Sequence, residues 1–164
     1  MEDKKKLHDE TKILLDKIID NDIKILNEEY IKLLENNKIE NNILNRFKLE
    51  KYKSYNGRYE NEKYSYVSFY FTDEDKNTLK IRSKENLQDS WFQYYREVFI
   101  NGEKMYYWAS DNAYNCGYDS SVYKKYNIPE NVNIIDDIVS VIYNKWNELD
   151  NEFINLVINK SKYT

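Results

Sequence analysis

The chain has 164 residues, 25 basic and 29 acidic, for a net charge of −4, with a single cysteine, Cys116. That length supports one hydrophobic core without disulfides or metal, and one cysteine excludes an internal disulfide and any Cys-rich metal site. No apolar run approaches the length of a membrane span, and the opening MEDKKKLHDE lacks the apolar centre of a secretion signal, so a reducing cytoplasm is the expected setting.

Charge is uneven along the chain. Residues 46–63 carry Arg46, Lys48, Lys51, Lys53, Arg58 and Lys63 against three acids, whereas residues 130–155 carry six acids against Lys145. The overall balance makes a poor DNA mimic and a poor general nucleic-acid binder, since phosphate affinity comes from clustered Lys and Arg. The 17 tyrosines partly reflect a composition skewed to Asn, Lys, Ile and Tyr. Tyrosine is also a residue that binding surfaces favour, because it joins rigid contact area to a hydroxyl.

Residues 5–36 contain no Gly or Pro and read as one helix. Leu15, Ile19, Ile23, Leu26, Tyr30 and Leu33 form one stripe, and Leu7, Leu14, Ile18 and Ile25 a second about a third of a turn away. The wide apolar arc suits burial between a sheet and another helix, with an exposed second stripe that recruits a helical partner or a second copy as the sharper alternative. Asn36-Asn37 predicts a stop. Ile39 to Tyr52 is expected as a second helix through Ile43 and Phe47, followed by a loop over 54–63 with Asn56-Gly57 as its turn.

From Lys63 the period becomes two: Val67, Phe69 and Phe71 share one face, and Leu79 and Ile81 resume the pattern after a polar loop. Asn101-Gly102 predicts a type I′ hairpin turn, because both central positions need positive φ. A two-residue turn sets Phe99 opposite Lys104, Val98 opposite Met105, Glu97 opposite Tyr106 and Tyr95 opposite Trp108. Trp91, Tyr95, Tyr106 and Trp108 then share a face with Glu97 and Phe99, while Val98, Ile100, Met105 and Tyr107 share the other. Residues 110–129 show no sustained period, although Val122, Tyr123 and Tyr126 suit a short helix. After Pro129, with Asn133 as N-cap and Asp136 and Asp137 opposing the dipole, Ile135, Ile138, Val139, Ile142, Trp146, Leu149, Phe153, Leu156 and Val157 define a strongly amphipathic helix.

The expected fold is therefore α+β in a single domain, 1–164. A helical segment (1–53) leads into a four-stranded antiparallel meander (63–109), an irregular loop (110–129) and a long C-terminal helix (130–160) packed on the sheet.

A test for chemistry finds no catalytic constellation. His8, the only histidine, has no second histidine or cysteine pair to complete a zinc site. Asp73, Asp75 and Asn77 begin like an EF-hand, but Thr78 stands where the turn needs Gly and Lys84 where the bidentate Glu belongs; the stretch reads as a hairpin loop. Asp111, Asn115 and Gly117 fail likewise. Three glycines cannot assemble a phosphate loop. No cofactor or metal is expected.

The expected function is non-enzymatic: binding and blocking another protein, of the toxin-immunity or phage anti-defence inhibitor type. The candidate surface is Trp91, Tyr95, Tyr106 and Trp108, extended by Tyr114 and Tyr118 of the irregular segment. An oligomerising structural protein, a single-strand nucleic-acid binder and a divergent enzyme are the alternatives. Nucleic acid is disfavoured because Lys104 is the one base on the aromatic face of the hairpin.

Overall fold

A computed structural model describes the backbone of residues 2–59, 62–86, 94–110, 115–130 and 133–162, and the side chains of 9–54, 66–84, 95–108, 117–130 and 133–151. Helix α1 (Glu2–Asn36) leads into a 3-10 turn (Ile43–Arg46) and then six strands: β1 (Lys48–Tyr59), β2 (Glu62–Thr72), β3 (Thr78–Asn86), β4 (Tyr94–Ile100), β5 (Glu103–Ser110) and β6 (Asn115–Tyr118). Short α2 (Ser120–Lys125) and long α3 (Ile134–Lys162) complete the order. The strands pair antiparallel in chain order, β1 to β6, as one meander.

Helix α1 ends where two asparagines interrupt it. Lys38 takes a left-handed φ of 57° and Ile39 N–H donates back to the Leu34 carbonyl at 2.9 Å, a Schellman-type closure. The second helix expected over Ile39–Tyr52 is absent. Asn41 turns the chain at φ 55°, and Asn42 and Asn45 form a capping box around the short 3-10 turn. The chain then enters β1, so the expected 1–53 helical segment closes early and the sheet gains a strand. Within the expected 54–63 loop, the described residues 54–59 and 62–63 are strand: Asn56 pairs with Ser65 and Gly57 with Tyr64.

The meander thus has six strands rather than four. The sixth lies inside the segment read as irregular, which also holds α2, capped by Asp119 accepting from Ser121 N–H at 3.0 Å. The polar loop after β2 is a hairpin turn, in which Asp73 Oδ1 accepts from Asp75 and Asn77 N–H. Asn101 and Gly102 adopt φ 49° and 80°, as a type I′ turn requires.

Both long helices lie on one side of the sheet. Val67, Phe69, Phe71, Leu79, Ile81, Val98, Ile100 and Met105 supply its covered face, all essentially without exposure. Helix α1 lays Tyr30 5.1 Å from the Phe71 ring, and burial raises the Tyr30 hydroxyl well above the usual tyrosine range as it donates to the Leu44 carbonyl at 2.6 Å. Helix α3 brings Ile134, Ile135, Ile138, Val139 and Ile142 into the same core. Its Trp146 meets Phe69 edge-on at 6.1 Å and Tyr52 at 6.4 Å. Each such aliphatic burial is worth about 1.5 to 3 kcal/mol before entropy is charged against it. Among the described residues no helix packs on the opposite face. No helix among the described residues is long and apolar enough to cross a membrane.

Candidate binding face

The central hairpin carries a bulge that decides which aromatics are available. Ile100 opposes Glu103 and Phe99 opposes Lys104 as the turn dictates, but Val98 then opposes Tyr106, so Met105 is inserted without a partner. From there on, Glu97 meets Tyr107, Arg96 meets Trp108 and Tyr95 meets Ala109. A bulge sets two consecutive residues against one and passes the strand on with inverted facing. Met105 and Tyr106 are accordingly both buried, at 0% and 7% exposure. The Met105 carbonyl is claimed by Asp119 N–H at 3.0 Å, where the chain turns into α2.

The expected aromatic face is therefore divided. Tyr106 lies on the covered side, its hydroxyl donating to Asp136 Oδ1 at 2.6 Å, and Trp108 packs partly buried against the core. Tyr118 pairs with Tyr106, sits 5.3 Å from the Tyr123 ring, and is 59% exposed beside α2. Tyr95 remains on the uncovered side, 42% exposed. Trp91 and Tyr114 lie outside the described residues, as do the side chains of His8 and Cys116.

The uncovered face itself is larger than the hairpin. Across β1 to β5, register aligns Lys51, Tyr70, Lys80, Phe99 and Lys104 in one row of alternating cations and rings. The contacts follow the row: Lys51 and Lys80 stand 5.2 and 5.5 Å from the Tyr70 centroid, and Lys80 and Lys104 stand 5.9 and 5.7 Å from Phe99. The next row runs Lys53, Ser68, Arg82, Glu97, Tyr107, Gly117, and a third includes Tyr66, Lys84 and Tyr95. Lys51 and Lys104 are exposed and Lys80 is half-buried, so these ammonium groups flank the rings at the surface.

Among the described residues this face carries Lys51, Lys53, Lys80, Arg82, Lys84 and Lys104, with Lys48 opposite Thr72 at its rim, against the carboxylates of Glu50 and Glu97, in a chain of net charge −4. Glu97 is clamped at 2.9 Å by Arg82 and 2.8 Å by Lys104. Burial pushes its carboxyl up, but Lys104 and Arg82 more than offset this and hold it below the usual glutamate value. Glu50, at the rim, accepts from the Thr72 hydroxyl at 2.6 Å. A shallow hollow of about 450 Å³ opens beside Tyr70 and Phe99. Asp136, Asp137 and Glu148 of α3 lie exposed in the helical layer on the other side.

Sequence reading missed most of this face because it confined the sheet to residues 63–109 and examined the hairpin alone. The signal present in the sequence was the basic bias of residues 46–63, part of which β1 delivers to the face as Lys51 and Lys53. Among the described residues no group of three or more His, Cys, Asp or Glu is placed to hold a metal ion. Comparison with family models, curated proteins and solved structures finds no match to the chain.

Proposed function

We propose that this chain is a non-catalytic binding protein that seats another protein on the uncovered face of its sheet and blocks it, in the manner of toxin-immunity proteins and phage inhibitors of host defence. The observation that carries the reading is the sheet face on which, among the described residues, lysines and an arginine interleave with aromatic rings, opposite an acidic helical layer. Such a surface selects an acidic partner by charge, and its aromatics supply contact area with little rotamer entropy to lose. Replacing Lys80 and Lys84 together by Glu, which leaves Arg82 and Lys104 paired with Glu97, tests it. Co-purification followed by mass spectrometry should recover an acidic protein with the parent chain and lose it with the variant, the melting temperature staying close to parental; retention by the variant refutes the reading.

A second reading, single-stranded nucleic acid, draws on the same alternation of cation and ring, which is how sheet surfaces stack bases while tracking phosphates. Saturable binding of a 20-nucleotide oligothymidylate, weakening steeply between about 50 and 200 mM salt, would favour it over the protein partner.

A further inference from the structure

Strand β1 is an edge of the sheet and pairs only with β2. Among the described residues its outer side is closed at one point: Asn27 Nδ2 donates to the Leu49 carbonyl at 3.1 Å and Asn27 Oδ1 accepts from Leu49 N–H at 2.8 Å. The side-chain amide thus meets Leu49 as a neighbouring strand would, which shows that Leu49 turns its backbone groups outward. The register then passes through the bulge, with Phe71 opposite Leu49 and Tyr70 opposite Lys51. Antiparallel alternation directs the backbone of Lys51 and Lys53 inward to β2, and that of Tyr52 and Ser54 outward. Among the described residues, no backbone hydrogen bond outside the β1–β2 ladder reaches Glu50 to Ser54.

We propose that this edge takes up an extended acidic segment of the partner protein as a seventh strand, beginning where Asn27 stops. The inference rests on the reading of the chain as a binder of an acidic protein, and it specifies how that protein engages. Lys51 and Lys53 project from β1 onto the uncovered face, so an incoming strand with carboxylates at alternate positions sets them directly across from both lysines. The intervening residues of that strand point to the helical side, where Tyr52 lies half-buried beside α1 and favours an apolar neighbour. A second copy of the chain does not fit. Antiparallel pairing of β1 with itself brings lysines against lysines, the arrangement by which edge strands resist self-association. Nucleic acid offers no ladder of alternating amide donors and acceptors.

The test uses the full chain and a nine-residue peptide of alternating Glu and Val, with three controls: the same peptide with Gln for Glu, a peptide of the same composition with its glutamates in one block, and a 20-nucleotide oligothymidylate. The alternating acidic peptide should bind saturably and slow amide exchange at Tyr52 and Ser54 relative to Lys51 and Lys53. Lys51→Glu with Lys53→Glu should weaken it at least tenfold while the melting temperature holds, and Ser54→Pro, which removes an outward donor, should abolish the protection. Equal binding of the Gln or blocked peptide overturns the proposal. So does binding that shifts only Lys80 and Lys104 resonances, an outcome that leaves the uncovered-face reading standing. Oligothymidylate binding without peptide binding overturns both. A concentration-dependent dimer protecting the same amides assigns the edge to a second copy, and absence of peptide binding refutes strand addition while the uncovered face keeps its own charge-reversal test.

Discussion

Tyr106 and Asp136 join the sheet to the start of α3: the phenol of β5 donates to Asp136 Oδ1 at 2.6 Å across 30 residues of sequence. The bond exists because the β5 bulge turns Tyr106 toward the helices. Tyr106→Phe keeps the ring and removes the donor, so its cost is that of one hydrogen bond to a carboxylate, about 1.5 to 3 kcal/mol. Thermal denaturation should show a drop of about 2 to 4 °C per kcal/mol for a chain of this size. Partner binding should be unchanged, whereas a Tyr106 on the uncovered face would give the opposite pair of results.

Trp146 anchors α3 to the sheet through Phe69 and to β1 through Tyr52. Trp146→Ala should cost about 3 to 5 kcal/mol, because three neighbouring rings cannot collapse into the space together. Denaturant titration should show a lower midpoint with a similar slope. An unchanged midpoint would mean that α3 is held elsewhere.

Glu97 gives the fold a defined acid dependence. Its carboxyl is held below its ordinary value of 4.5, so the folded state binds this proton less readily than the unfolded chain does. The associated stability is complete above about pH 5 to 6, declines as pH falls through 4.5 toward the lower folded value, and is gone below it. Melting curves of the parent and Glu97→Gln should therefore differ at neutral pH and converge in acid. Curves that stay parallel down to pH 3 would show that Arg82 and Lys104 do not favour the ionised form.

Gly117 marks a close approach on the uncovered face. A methyl group there would stand 2.5 Å from Tyr107 Cε1, closer than two carbons can approach, so the ring must shift to admit it. Gly117→Val should lift Tyr107 from β6, visible as a shift of its ring resonances. Loss of partner affinity should exceed loss of stability; the reverse order would mark the Tyr107 contact as structural.

Much of the fold is legible in local pattern. Val67, Phe69 and Phe71 alternate, Ile135 to Trp146 recur at helical spacing, and Asn101-Gly102 specifies its own turn geometry. What escapes is whatever depends on a break in that pattern. In β1, the bulge after Leu49 disrupts the alternation and the lysines of the uncovered face imitate a polar helix surface. In β6, four residues including Gly117 hold too little apolar character to announce a strand. In β5, the inserted Met105 is set by its carbonyl bond to Asp119, a contact 14 residues away that no local rule supplies, and it transfers Tyr106 and Trp108 from the candidate surface to the covered side. The candidate site was therefore legible only in part: Tyr95 stayed, and the row from Lys51 to Lys104 emerged only when β1, β2 and β3 were laid beside the hairpin.

The strict chain order of the strands also bears on synthesis. Every pairing in the sheet joins neighbours in sequence, so loop closure is cheap and the meander can form as the chain emerges from the ribosome. Helix α3 comes last. Until it is made, Phe69, Ile81 and Val98 have only α1 and the short segments to shield them, and at about 5 to 20 residues per second that interval lasts a few seconds. During it the nascent chain offers a sticky aromatic and aliphatic sheet to chaperones and to neighbouring copies alike. Truncations within α3 should therefore accumulate as aggregates rather than as soluble fragments.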